Sequence, residues 1–257
     1  MYSNKRVAIV IVHYGDNTIT LRLVESLEHV VDIVIVDNGG LDKSLYSDSI
    51  QILDPKKNLG YLEGFRFAMN RISDNYDWIA IANNDLVLKR WSNEIFYKAN
   101  QNISMIAPSI KEFSGKELNP HFKHKLSKFK KGIFQLYFKS FYIAYLMRNI
   151  KPKIKADKIE TSEYNNSIYS PNGAIVFIRK DLFDSIKLES SLSFLYGEEV
   201  YFAEMAFRNN RRIFFTDSII FEHEHSMNTG KGFSKKKWHE QREMYIESRA
   251  RKYNFFK

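Results

Sequence analysis

The chain contains no cysteine. Disulfide frameworks, thiolate zinc sites and cysteine nucleophiles are therefore excluded, and the absence suits a reducing compartment. Long apolar runs are missing as well: no stretch reaches the roughly 18 uninterrupted apolar residues of a membrane-spanning helix. Lys5 and Arg6 precede an apolar run, but it covers only Val7 to Val12 before His13, too short for the core of a secretion signal. The expectation is a protein neither exported nor integral to a membrane. Three motifs are also absent: a Gly-x-Gly-x-x-Gly turn after the first strand, a phosphate loop ending in Gly-Lys-Ser/Thr, and a Gly-x-Ser-x-Gly elbow. Dehydrogenase, P-loop NTPase and α/β-hydrolase readings lose their main support.

Hydrophobic residues make up 44% and charged residues 27% of the 257-residue chain. That is a globular balance, at a length that fits one domain or one domain with an appended segment. The formal net charge is +9, and its placement is uneven. Residues 121–158 carry eleven Lys or Arg side chains against one acid, Asp157, so the excess belongs to that segment. A polyanionic partner met there is the physical inference, whether phospholipid, lipid diphosphate or nucleic acid. Within it Ile133, Phe134, Tyr137, Phe138, Phe141 and Tyr145 recur at helical spacing, with Lys128, Lys131, Gln135 and Lys139 opposite. The pattern predicts an amphipathic helix with a wide aromatic face.

Elsewhere short apolar runs alternate with helical patterns. Strands are expected over residues 6–12, 33–36, 50–53 and 78–82, with a helix carrying Leu21, Val24, Leu27 and Val31 and another over 63–72. This alternation predicts an α/β fold with a mostly parallel sheet covered on both faces. Further strands are expected at 174–178, 212–215 and 219–225, and helices at 181–186 and 200–209. Residues 1–230 are taken as the domain, including the basic aromatic segment at 119–158, and 231–257 as a C-terminal basic helix. Ligands of such sheets gather beyond the C-terminal strand ends. The polar clusters at His13, Asp37 and Asp85 all fall there.

Asn83-Asn84-Asp85 closes the fourth expected strand. An amide and a carboxylate side by side suit a hard divalent cation, which takes oxygen ligands and could bridge the phosphates of a nucleoside diphosphate. The plainer reading is that the triplet caps a following helix, and spacing alone favours it. Asp37 could accept a hydrogen bond from a base or ribose, although Asp37-Asn38-Gly39-Gly40 is turn chemistry in its own right. Glu198 and Glu199 precede a helical pattern. One of them could take the proton of an acceptor hydroxyl, or both could simply complement a helix N-terminus. His223 and His225 would share one face of a strand, where one could ligate a metal. Their spacing is not that of a helical zinc site, and a mixed-charge strand edge would look the same.

Taken in order, these residues resemble the family 2 glycosyltransferases, and among them the bacterial rhamnosyltransferase-like group of surface-polysaccharide synthesis. Val10-Ile11-Val12-His13-Tyr14 is similar to the family's first strand with its Val-x-Asn-Tyr, and Ile33 to Gly39 to its Val-Val-Asp-Asn-Ser. Asn58-Leu59-Gly60-Tyr61 resembles Asn-x-Gly-Phe, and Asn83-Asn84-Asp85 stands in the place of the metal-binding Asp-x-Asp. Asn172-Gly173-Ala174 resembles Ser-Gly-Ala, Phe194 to Glu199 resembles Phe-x-Tyr-x-Glu-Asp, and Phe221 to Ser226 the closing His motif. The resemblance spans roughly residues 6–226. The chain departs from the pattern at Glu199, where the family has Asp, and at Glu63-Gly64, where it has Gly-Gly.

The resemblance implies a GT-A fold, a nucleotide-diphosphate sugar donor (UDP- or dTDP-sugar) and inversion at the sugar carbon. Val12, His13, Tyr14, Asp37, Asn58, Gly60 and Asn84 would line the nucleotide-sugar site. Asp85 and His223 would hold Mn²⁺ or Mg²⁺. Glu199 would be the general base, with Glu198 as its positioning neighbour. The acceptor would be a saccharide, commonly on a lipid diphosphate, in capsule or O-antigen synthesis. The lysine-rimmed aromatic helix would then lie in the interface of the inner membrane face, with no role for nucleic acid. An ordinary amphipathic helix packed on the core would show the same pattern. A sugar nucleotidyltransferase remains an alternative, although residues 13–17 lack the Gly-rich basic loop that holds a triphosphate. A non-catalytic polyanion-binding module is the other alternative, and it leaves the ordered acids at the strand ends without a purpose.

Overall fold

Residues Val7–His13 form a strand because they are mostly β-branched and all buried. Successive side chains face opposite sides of a sheet. Val10 and Val12 accordingly enter one apolar layer, and Val7, Ile9 and Ile11 the other. A strand buried on both faces needs helices on both, and the sequence supplies them.

The computed structural model describes residues 6–125, 127–149, 166–186 and 198–223, with 234–236, 238–239 and 242–243 beyond. The chain runs β1 (Val7–His13), α1 (Asn17–Leu27), β2 (Asp32–Asp37), β3 (Gln51–Leu53), α2 (Tyr61–Ile72), β4 (Trp78–Asn83), β5 (Leu86–Arg90) and α3 (Glu94–Lys98). It continues through β6 (Ile103–Glu112), α4 (Lys128–Lys139), α5 (Phe141–Asn149), β7 (Ser167–Ile168), β8 (Ile175–Arg179), α6 (Lys180–Ile186), α7 (Glu198–Arg208) and β9 (Arg212–His223). One nine-stranded sheet has the order β3-β2-β1-β4-β8-β6-β9-β5, with β7 added against β9. β3, β2, β1 and β4 are mutually parallel, and so are β6 and β9. β8 enters antiparallel between β4 and β6, and β5 lies antiparallel to β9. Leu62 and Phe65 of α2, Leu182 of α6 and Phe202 of α7 cover one face. Leu23 and Leu27 of α1 and Phe96 of α3 cover the other.

The sheet cannot be flat. Asn83 and Leu86 are separated by three Cα steps, about 11 Å at full stretch. Their strands β4 and β5 stand four positions apart, about 19 Å in a flat sheet at ~4.8 Å per strand. The fold resolves this by bending. Register shifts fall between Pro108 and Ser109 of β6, opposite the skip from Thr216 to Ile220 in β9. Pro108 has no N–H to give the ladder, so pairing breaks there most cheaply. Beyond the break, Ser109–Glu112, Ile220–His223 and β5 turn back toward the end of β4. This curl carries the C-terminal end of β9 to the Asn84-Asp85 turn.

Two expectations are corrected. No helix follows Asn83-Asn84-Asp85; the chain enters β5 directly, so the triplet is not a helix cap. The basic aromatic segment is also not one continuous helix. It breaks at Ser140 into α4 and α5, and part of its expected aromatic face is covered. Trp238 stacks edge-on against Phe141 with centroids 6.0 Å apart and donates Nε1–H to the Tyr137 carbonyl at 3.1 Å. Phe129, Leu136, Tyr142, Tyr145 and Leu146 remain exposed. Residues 150–158, the approach at 194–197, Glu224 and His225 lie outside the described residues.

Candidate active site

The rim at the C-terminal ends of β1, β2 and β4 is built from turns that satisfy themselves. Asp37 ends β2 and accepts from the Gly39 N–H at 2.9 Å, an Asx turn that leaves it half-buried. Tyr14 stands 65% exposed, its ring over Gly39. Buried Asn38 staples the next loop, taking the Leu59 N–H on Oδ1 at 3.1 Å and donating to the Gly60 carbonyl at 2.9 Å. Asn58 in turn accepts the Gly60 N–H at 2.9 Å. Gly60 itself sits at φ 76°, ψ −168°, a region open in practice only to glycine. Tyr14, Asp37, Asn58 and Gly60 thus share one edge. Val12 and His13 lie buried beneath it and support the rim from below.

Asp85 and His223, 138 residues apart in sequence, meet through the curl: His223 Nε2 is 3.0 Å from Asp85 Oδ1. Asn84 turns inward and donates Nδ2–H to Thr20 Oγ1 at 3.0 Å. Glu198 and Glu199 open α7. The helix is fixed by Ser170 Oγ–H donating to the Glu199 carbonyl at 2.9 Å. Buried Glu204, one turn along, accepts from the Tyr169 hydroxyl and from Arg208 Nε.

Tyr61 shows that these acids converge. Its buried hydroxyl donates to the Gly173 carbonyl at 2.9 Å. Its pKa is pushed well above the ordinary phenol value by burial first, then by the charges of Glu198, Asp85 and Glu199. All three acids lie within electrostatic reach of that hydroxyl. Glu198 is the most enclosed of them. The residue is half-buried, yet its Oε2 is sealed from solvent and has no partner among the described residues. Burial, then the charge of Glu199, raises its carboxyl to about 8. Burial and the neighbouring charge thus favour the protonated form of Glu198.

Gly173 makes that enclosure possible. A Cβ added there would stand 2.2 Å from Glu198 Cγ. The turn that holds it is rigid: Asn172 receives Ala174 N–H on Oδ1 at 2.9 Å and donates its own N–H to Asn119 Oδ1 at 3.0 Å. Gly173→Ala is therefore expected to cost ~1–3 kcal/mol of overpacking, about 2–12 °C in Tm at this chain length. Adding Glu198→Ala should restore most of the loss, which thermal denaturation of the two variants checks.

Asp85 and His223 are the metal-ligand candidates of this rim. They offer one carboxylate oxygen and one imidazole nitrogen at contact distance. Among the described residues no group of three or more His, Asp or Glu side chains is placed to hold a metal ion. A preformed structural site is thus not built here. The pair fits a divalent cation that takes its remaining ligands from phosphate oxygens and water. The residues that sequence reasoning did not single out are Tyr61, Gly173, Asn38 and Thr20. Tyr61, Gly173 and Asn38 stood inside quoted motifs, whereas nothing near Thr20 in sequence marks it.

No protein-family model matches the chain, and no curated protein matches it by sequence. Solved structures match it in shape. A crystal structure of GalNAc-T7 with UDP, GalNAc and Mn²⁺ is similar at TM-score 0.56 and 11% identity, over 86% of this chain and 44% of that one. A crystal structure of S. aureus TarS 1-349 is similar at TM-score 0.54 and 11% identity, over 96% of this chain and 66% of that one. The chain spans less than half the length of the first. At such identities the likeness concerns the fold, and that fold is GT-A.

Proposed function

We propose that the chain is an inverting nucleotide-sugar glycosyltransferase. The observation that carries the reading is the Asp85–His223 contact at the end of β4 of a GT-A sheet, with Glu198 and Glu199 at the start of α7 within electrostatic reach of the same Tyr61 hydroxyl as Asp85. Tyr14, Asp37, Asn58 and Gly60 would line the donor's nucleotide, whereas Asn84, expected there from the motif, is turned inward onto Thr20. Asp85 and His223 would hold Mn²⁺ or Mg²⁺, whose charge offsets that of the departing diphosphate. Glu199 would take the proton of the acceptor hydroxyl as its oxygen bonds to the sugar carbon and the bond to the diphosphate breaks on the opposite face. Glu198, whose carboxyl is pushed by burial toward the protonated form, suits a neighbour that shapes the site better than a base. The Mn²⁺, UDP and GalNAc of the GalNAc-T7 structure accord with this donor class.

The finer reading rests on the ordered sequence motifs, which favour a rhamnosyltransferase-like enzyme of capsule or O-antigen synthesis with a saccharide acceptor on a lipid diphosphate. No helix among the described residues is long and apolar enough to cross a membrane. Peripheral contact at the inner membrane face would instead use the exposed Phe129, Leu136, Tyr142, Tyr145 and Leu146 within the basic segment.

A thermal-shift screen of nucleotide sugars tests the proposal. A donor at a hundred times its Kd stabilises by about 2.7 kcal/mol, so Tm should rise by roughly 5–10 °C with a UDP- or dTDP-sugar and Mn²⁺ together. Uniformly flat curves across the panel, with either cation present, would remove the reading.

A further inference from the structure

Helix α1 holds the segment carrying Asp85 at two points. Thr20 Oγ1 accepts from Asn84 Nδ2 at 3.0 Å, and Ser26 Oγ accepts the backbone N–H of Leu88 at 3.0 Å. Asp85 lies between these anchors. They differ in what stands behind them. Ser26 donates its proton to the Leu23 carbonyl at 2.7 Å, an ordinary bond within a helix. Thr20 faces His13, with Oγ1 2.7 Å from Nδ1 and both side chains shut off from solvent. Burial lowers the pKa of His13, so the ring is neutral and carries one N–H.

The hydroxyl is therefore a junction. One lone pair of Oγ1 takes the Asn84 amide; either the Thr20 proton goes to a bare Nδ1, or Nδ1–H takes the second lone pair. A methyl group at this place satisfies neither partner. His13 is also hard to explain by packing alone. Among the described residues its Nε2 has no hydrogen bond of good geometry; the Gly40 carbonyl, with Asp37 and Asp16, favours a ring proton without outweighing burial.

We propose that Thr20, seated on His13, is a positioning residue that fixes the Asn84 side chain and so sets the direction from which Asp85 meets His223 and a divalent cation. This rests on the metal-binding reading above.

Mn²⁺ binding to the full chain, followed by electron paramagnetic resonance with and without UDP, tests it independently of turnover. Thr20→Val should weaken Mn²⁺ about tenfold, the lower end of what loss of a supporting partner behind a metal ligand costs. Thr20→Ser keeps the hydroxyl and should stay within about twofold of the parent. In an Asn84→Ala background Thr20→Val should change nothing further, since its partner is gone. Ser26→Ala should lower Tm and leave Mn²⁺ affinity as it was. Parental affinity in Thr20→Val, equal losses in the Ser and Val variants, or an equal loss in Ser26→Ala would each overturn the assignment. In those cases the proposed activity still stands. A parent chain that binds no Mn²⁺ in either condition removes both.

Discussion

Asp85→Ala should reduce metal-dependent donor turnover by about three orders of magnitude, because cation charge at a leaving diphosphate contributes several kcal/mol and each ~1.4 kcal/mol is tenfold. The fold should survive. Asp85 sits at a turn and bonds His223 at 3.0 Å, a contact whose net loss is worth ~1 kcal/mol, a few degrees in Tm. Asp85→Asn separates charge from shape: it keeps the side-chain outline yet should be nearly as inactive. Turnover titrated with Mn²⁺ is the measurement. If Asp85→Ala still responds to the cation as the parent does, the site is elsewhere.

The main sheet was legible because its strands are short apolar runs between turn clusters. β1, β2 and β4 fall within about a residue or two of where the runs place them. On the far side, β8 and β9 stand where strands were expected at 174–178, 212–215 and 219–225, whereas β5, β6 and β7 were not anticipated. β6 is buried along most of its length, but Ser104, Pro108 and Ser109 interrupt its apolar run, so no period announces it. The bend that follows was equally hidden. It comes from a register skip between two strands a hundred residues apart, and pairing of that kind leaves no local mark. The aromatic segment misled for another reason. Periodicity reports which side chains share a helix face, not whether the helix is continuous or what covers it; residue 238 does part of the covering.

For the candidate site, residue types were legible and their support was not. Asp85 and His223 were singled out from separate strand ends, and the curl brings them together. That Glu198 packs against Gly173 with one carboxylate oxygen sealed could not be read from two adjacent letters. It depends on Gly173 leaving room for one of them. The Thr20–Asn84 bond joins a helix to a turn 64 residues away, and neither residue is unusual in its own neighbourhood.

Glu199→Gln should cost about 10²–10⁴ in transfer, the usual worth of a positioned base, with donor binding retained because the amide keeps the side chain's shape. Glu198→Gln is the contrasting case. A carboxyl raised to about 8 is already neutral at pH 7, and glutamine resembles its protonated form. Transfer at pH 7 should therefore fall less than about tenfold. Its signature is in stability instead. The native state of the parent keeps the Glu198 proton that the unfolded chain releases near the ordinary glutamate value. The parent's stability contribution from this group is complete below that value and is lost as pH rises toward 8. Glu198→Gln has no such proton to lose. Relative to the parent, its Tm should climb between pH 5 and pH 8 and then level off. A constant difference over that window would mean that Glu198 is ionised at neutral pH. It would then compete with Glu199 for the acceptor's proton, and the roles of the two acids would have to be exchanged.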